Sequence, residues 1–495
     1  MGTEDLKVSM NARIQRRLLL HGSAQHTTFS VYKRIMLKGL IKHESRIRSN
    51  IIKFSFQPNM YFSKYNTIIK SKNAILIHNA ITNAFIEVSS DLYHMLQNTP
   101  VRIGDFESDN EILPQLIETK ILVTDDETEF LKIRHRVATR RYNPNYASFT
   151  ILPTLDCNFS CPYCFESKQK KDLTTYSIDI IAKFINRITE NKKEFNITWF
   201  GGEPLMAVKK MHSLYKQLNI SNKSVDSSII TNGFLLNDST IDILKTINVS
   251  TVQVTLDGTE SSHNSRKKLS GNSHVNVFRK TINNIIKLSN EEFAQINIRV
   301  NIDNHNKQEF LPLYEYLAKE IPNFGKNVFV SPAFIADSPT KGCDKNEICV
   351  LSRKQISDFV VRLQKKHQFY HPLLYPSNIL YECPVRNDNS WVICPDGSLF
   401  KCWEVVGIED FKIGHLDENG EIVVTNESLL FQYMEGADPL SDKNCINCKT
   451  YPICGGGCVH ARIMKKYHKA KVNPCAYAKN YLEKFLSAYY DIQAH

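Results

Sequence analysis

The chain has 495 residues, 42% of them hydrophobic and 23% charged, an ordinary globular composition too long for one core, so two to four domains are expected. It contains no run of eighteen apolar residues and no signal-peptide pattern, so a membrane span or an export signal is not expected, and the cytoplasm is. The formal net charge is +11, but residues 1–53 carry eleven Lys or Arg against three Asp or Glu, a net of +8, which leaves no continuous basic stripe for a nucleic acid.

In chain order, residues 1–60 read as a basic extension, expected to be poorly ordered. Residues 61–140 read as a small module. Its β-type runs, Asn66-Thr-Ile-Ile, Ala74-Ile-Leu-Ile and Ala84-Phe-Ile-Glu-Val, are split by turn-forming residues. Helices are expected at 90–97, 110–119 and 127–140, with a small wing strand at 121–124. From residue 149 strand and helix patterns alternate, with strands expected at 149–154, 195–200, 227–232, 250–256, 295–301 and 327–332. Helices follow most of them, as at 178–189 and 277–288. Repeated βα units imply parallel strands with right-handed crossovers, in an open sheet or a barrel.

The first of these strands runs into Thr154-Leu-Asp-Cys157-Asn-Phe-Ser-Cys161-Pro-Tyr-Cys164-Phe-Glu166. Three thiolates in one loop ligate three irons of a cubane cluster and leave the fourth open to a ligand, whereas a four-thiolate site stores or passes electrons. A structural zinc loop asks for a fourth ligand, and no second CxxC or His pair follows within thirty residues. The loop resembles the CxxxCxxC loop of the radical S-adenosylmethionine (radical SAM) superfamily, with Tyr163 and Phe165 around its third cysteine. That resemblance implies a partial barrel of six βα units over residues 145–370. It also implies a [4Fe–4S] cluster on Cys157, Cys161 and Cys164, and bound S-adenosylmethionine with Phe165 among its contacts.

Further segments extend the resemblance at the ends of the expected strands, where βα barrels place their chemistry. Gly201-Gly202-Glu203-Pro204 resembles the GGEP motif that holds the amino group of S-adenosylmethionine. Its glycines let backbone groups approach a ligand, and Pro204 suits a helix start. Thr231-Asn232-Gly233 and Thr255-Leu-Asp257-Gly258, continuing to His263 and Arg266, resemble two more superfamily segments. By resemblance Asn232 joins the cofactor contacts, Thr255 meets the ribose and Arg266 the methionine carboxylate. Turn chemistry and helix capping account equally well for Asn232 and Asp257. No residue is singled out as a catalytic acid or base.

Ten of the thirteen cysteines lie between 343 and 475. Seven follow one pattern: Cys383, Gly397 and Cys402, then Cys445-x2-Cys448-x5-Cys454-x3-Cys458, then Cys475. This resembles the SPASM domain of radical SAM maturases, placed at 371–480 with a final helix at 481–495. The resemblance implies two auxiliary [4Fe–4S] clusters, three clusters in all. One would sit on Cys445, Cys448, Cys454 and Cys475, the other on Cys383, Cys402 and Cys458 with no assigned fourth ligand. Cys343, Cys349 and Cys394 are left over, and Cys394 on its β-type run is equally a buried core thiol.

The order of elements in 61–140 resembles the winged-helix-like recognition module of peptide maturases, which implies binding of a precursor's leader peptide. The expected activity is therefore an oxidative crosslink, a thioether or a C–C or C–O bond, in a ribosomally made peptide. A flavodoxin or ferredoxin is the expected electron donor, and no nucleic-acid or membrane partner is expected. The alternatives are an anaerobic sulfatase-maturating enzyme and a non-catalytic electron-transfer protein. The first places an acid directly after the cysteine equivalent to Cys402, where this chain has Trp403 and then Glu404.

Overall fold

The computed structural model describes residues 59–494 except 71–74, 103–105, 107–111, 167, 271–274, 336–349, 368, 370–373 and 375–382. The basic extension lies outside this set but for its last two residues, and so do Cys343 and Cys349.

The N-terminal module has two small sheets. Strands β1 (Asn59–Phe62), β5 (Val101–Arg102) and β6 (Leu122–Val123) form one, in the order β5-β1-β6. Strands β2 (Asn66–Lys70), β3 (Ile75–Asn79) and β4 (Ala84–Val88) form an antiparallel meander. Helices α1 (Ser90–Gln97) and α2 (Ile112–Glu118) follow β4 and β5, and α3 (Asp126–Arg141) leads out of the module. The meander and helices match expectation. The expected wing strand forms, but it pairs with β1 in a separate sheet that was not foreseen. Strands of two residues carry no readable alternation.

Six parallel strands follow: β7 (Ser148–Ile151), β8 (Glu194–Trp199), β9 (Ser224–Thr231), β10 (Val249–Leu256), β11 (Gln295–Ile302) and β12 (Val328–Phe334). Between them run α4 (Thr175–Thr189), α5 (Val208–Lys216), α6 (Asp238–Thr246), α7 (Glu260–Arg266), α8 (Val277–Asn290) and α9 (Phe310–Glu320). Helix α4 shows why: Thr174 and Ser177 make a capping box, and Ile178, Ile181, Phe184 and Ile185 bury one face.

The strands neighbour each other in sequence order. With every right-handed crossover stepping the same way, the helices fall on one face, and the sheet curls about the other. Residues alternate accordingly. Phe149, Ile151, Ile197, Val254 and Ile298 are buried in the core with the helices, while Thr150, Thr198, Gln253, Asn297 and Arg299 on the opposite face stay partly exposed. The inner face of the sheet is thus polar and not fully buried.

After α10 (Arg353–His367), strands β13 (Ser390–Ile393), β14 (Ser398–Phe400), β15 (Gly414–Leu416) and β16 (Ile422–Val424) extend the same sheet. Strand β13 pairs in parallel with β7, and β14 to β16 continue antiparallel. Helices α11 (Val459–Tyr467) and α12 (Leu482–Ala494) complete the chain. The N-terminal meander packs onto this C-terminal region: Tyr65, Ile69, Leu76 and Phe85 share a core with Cys445, Tyr451 and Leu486. Among the described residues no helix is long and apolar enough to cross a membrane.

Candidate cofactor and cluster site

The loop after β7 is held at both ends. Cys157 and Cys161 are partly exposed, Cys164 is exposed, and each is a free thiol. The Phe159 N–H donates to Cys157 Sγ at 3.4 Å, and Asn232 Nδ2 lies 4.0 Å from the same sulfur and donates to Asn158 Oδ1 at 2.8 Å. On the outer side Lys168 Nζ donates to the Cys157 carbonyl at 3.0 Å. Burial pushes the Cys157 thiol up to about 12, with Glu203 and Cys161 adding to it, and burial raises Cys164 too.

Gly201 and Gly202 permit a close approach, but to protein. The Gly202 N–H donates to the Thr154 carbonyl and the Glu203 N–H to that of Asp156, at 3.3 and 2.8 Å. A Cβ on Gly201 would stand 2.4 Å from Thr154 O. The pair presses the loop after β8 against the thiol loop. Glu203, expected to meet the cofactor's amino group, is 1% exposed. Its Oε1 accepts from Thr231 Oγ1 at 2.6 Å and from the Leu205 N–H at 3.1 Å, and its Oε2 accepts from the Asn232 N–H at 2.8 Å. In this arrangement its carboxylate braces β8 to β9, and burial raises its pKa.

Asn232 also has its expected turn role, its Oδ1 accepting from the Phe234 N–H at 3.0 Å. Thr255 Oγ1 accepts from Lys267 Nζ at 3.2 Å. Arg266 donates to Asp303 at 2.8 Å and lies over the Tyr163 ring, 5.0 Å from its centre. The Tyr163 hydroxyl donates to Asp257 Oδ2 at 2.5 Å. Asp257 is thus more than the turn residue of the sequence reading. Phe165 stacks on Phe200, and Phe200 meets Trp403, the neighbour of Cys402, at centroid distances of 6.3 and 5.5 Å. An aromatic run therefore joins the first thiol loop to the second set of cysteines.

That second set is Cys383, Cys402 and Cys458. Burial raises all three thiols; Cys402 feels Cys383 and Cys458, and all three feel Glu404. Cys458 caps α11, its Sγ accepting from the Ala461 N–H at 3.4 Å. The third set is Cys445, Cys448, Cys454 and Cys475. Arg462 donates to Cys445 Sγ at 3.4 Å, Lys479 to Cys475 Sγ at 3.6 Å, and the Ala476 N–H to Cys454 Sγ at 3.5 Å. Gly455, Gly456 and Gly457 all have positive φ, at 59°, 86° and 73°. They carry the chain from Cys454 in one set to Cys458 in the other, so close to Pro474 that a Cβ on Gly457 would sit 1.8 Å from its carbonyl oxygen.

Cys394 directly follows β13. It is buried in the barrel core, and the charges bearing on it are Asp396, Glu166, Lys171 and Lys412. Among the described residues no three His, Cys, Asp or Glu side chains converge on a single metal ion. Within each set the thiols bear on one another electrostatically, and an all-thiol donor set suits an iron–sulfur cluster. Sequence reasoning missed Lys267 and the Tyr163–Asp257 bond. Lys267 had a signal, in that it directly follows Arg266.

Residues 151–317 match the Radical SAM superfamily. The chain carries a radical SAM domain. It is similar to the radical SAM cyclopropyl synthase TigE of Paramaledivibacter caminithermalis, at 24% identity over 82% of this chain and 91% of the relative. It is similar also to the cysteine-type anaerobic sulfatase-maturating enzyme of Clostridium novyi, at 23% identity over 61% of this chain and 85% of the relative. The radical SAM fold extends to the solved structure of native anSMEcpe with bound AdoMet, with a TM-score of 0.54 and 19% identity over 70% of this chain and 97% of that one. A radical SAM enzyme follows at that level, and the family implies S-adenosylmethionine and a [4Fe–4S] cluster.

Proposed function

We propose that this radical SAM enzyme installs an oxidative crosslink in a ribosomally made peptide. The observation that carries the reading is the polar, partly exposed inner face of the sheet, with the rings of Phe165, Phe200 and Trp403 running from the first thiol loop to the neighbour of Cys402. Arg299, on that inner face, feels both Tyr163 of the first thiol loop and Glu404 beside Cys402. A substrate placed there lies between the two sets.

When bound, the cluster and S-adenosylmethionine supply a 5′-deoxyadenosyl radical able to take a hydrogen from an unactivated C–H bond. The chain's part is to hold and exclude. Cys157, Cys161 and Cys164 would hold the reactive cluster, with Gly201, Gly202, Glu203, Asn232, Thr255, Arg266 and Phe165 around the cofactor. Phe165, Phe200 and Trp403 wall the passage between the two sets with apolar surface. Cys383, Cys402 and Cys458 would hold one auxiliary cluster, and Cys445, Cys448, Cys454 and Cys475 the other, as acceptors for the electron released when the new bond closes. A flavodoxin or ferredoxin would reduce the enzyme.

Residues 61–140 would take the leader peptide by strand addition. The meander's outer strand β2 supports this. Beside it lies an open cavity of about 780 Å³ lined by Ile68, Lys70, Tyr93, Lys365 and Lys484. Co-expression with a short precursor encoded nearby, read by mass spectrometry, tests the function. Loss of two hydrogens from the precursor is expected, and an unmodified precursor with active S-adenosylmethionine cleavage would refute it. The second reading, sulfatase maturation, draws on the similarity to the Clostridium novyi enzyme. A sulfatase peptide converted to formylglycine would establish it instead.

A further inference from the structure

The segment after α7 is zipped onto the thiol loop. The Ser160 N–H donates to the Lys268 carbonyl and the Ser270 N–H to that of Asn158, each at 2.8 Å, around a Phe159–Leu269 bridge. Two adjacent cations are thereby brought to the loop, and they are used differently. Arg266 is committed to Asp303 at 2.8 Å, with Asp257 at 3.8 Å. Lys267 is 5% exposed, and its Nζ has Thr255 Oγ1 at 3.2 Å and the Tyr163 ring centre at 5.7 Å. Tyr163 stands between Cys161 and Cys164 in the loop. Among the described residues Lys267 has no carboxylate within ion-pair distance.

An ammonium carries three donors, and among the described residues its partners are neutral hydroxyls, those of Thr255 and Tyr163. Burying such a charge without a close anion is costly. The ionisable groups that bear on Lys267 are Asp257, Tyr163, Glu203, Cys161 and Cys164, and the two cysteines carry negative charge once they hold metal. Two of these are the loop's own metal ligands. A cation fixed beside a cluster favours whichever oxidation state is more negative, and burial keeps that effect from being screened.

We propose that Lys267 is the charge partner of the cluster held by Cys157, Cys161 and Cys164, and that its ammonium sets the cluster's midpoint potential by stabilising the negative charge gained on one-electron reduction. The electron comes from an external one-electron donor, no bond is made or broken, and Lys267 keeps its proton throughout. The proposal rests on the cluster that a radical SAM domain implies, not on the peptide chemistry.

The full chain, reconstituted anaerobically with iron and sulfide, is titrated with dithionite under electron paramagnetic resonance. The reactive cluster is recognised as the signal that changes when S-adenosylmethionine is added. Lys267→Met removes the charge at similar volume, and Lys267→Arg keeps it. At equal iron content the Met variant should titrate at a more negative potential and the Arg variant near wild type. A Met variant with wild-type iron and potential overturns the proposal. Should the Met variant lose the cluster, the Arg variant decides. Retention at wild-type potential supports the charge, and loss in both assigns Lys267 to packing and overturns the proposal. Absence of the cofactor-responsive signal in wild type would instead refute the cluster assignment itself.

Discussion

Gly202 faces the carbonyl oxygen of Asp156 so closely that a methyl group added to it would come within 2.0 Å of that oxygen. The obstacle is backbone, which cannot swing aside as a side chain can. Gly202→Ala should therefore separate the two loops, at a cost at the upper end of or above the ~1–3 kcal/mol typical of overpacking. The expected result is a lower melting temperature together with iron lost from the reactive site. A variant that keeps full iron and wild-type melting would show that the loops can part freely.

Iron content tests the three thiol sets together. Three cubanes would load about twelve irons per chain. Joint replacement of Cys157, Cys161 and Cys164 by Ala should remove about one third of that iron and abolish cleavage of S-adenosylmethionine. Stoichiometric zinc with little iron would overturn the cluster assignments.

Cys394 supplies the control. It lies in the barrel core at 3% exposure, and burial pushes its thiol up. Cys394→Ala should lower stability by about 1 kcal/mol, through loss of one small buried group, and leave iron unchanged. A drop in iron would make it a ligand after all.

The N-terminal module should be sensitive to acid. His78 is fully buried, its Nε2 within 2.8 Å of Asn83 Oδ1, and burial lowers its pKa from 6.5 to about 4. The unfolded chain binds a proton as pH falls below 6.5, while the folded chain resists until about 4. Stability from a neutral His78 is thus complete above 6.5 and lost toward 4, by about 3 kcal/mol in full. His460 and His263 are lowered in the same direction, so the measurement is a difference. In the iron-free chain, His78→Gln should lose less urea stability between pH 6.5 and 5 than wild type. Parallel curves would exclude the effect.

Most of the barrel strands were legible because a short apolar alternation precedes a helical pattern, as in the run from Glu194 to Trp199. The thiol spacings were legible because ligand geometry constrains sequence distance. Pairing between remote segments was not. Nothing local in Ser390–Ile393 marks it as the neighbour of β7, and β1 finds its partners only across the length of the module. The place of Lys267 depended on the zipper between 158–160 and 268–270, which is likewise long-range. The brace that Glu203 makes with Thr231 and Asn232 was not legible either, because the motif names a cofactor contact and carries no sign of strand pairing.

The pairing of β13 with β7 bears on how the protein is made. During synthesis β7 and the thiol loop after it leave the ribosome long before residue 390 does, with one edge of the strand still bare. Contacts so remote in sequence close late, and an unpaired edge invites neighbouring chains in the meantime. The nascent chain would thus expose three thiols beside an open strand edge until its last quarter arrives. Delivery of iron after release, when that edge has been covered, would spare the loop both oxidation and aggregation.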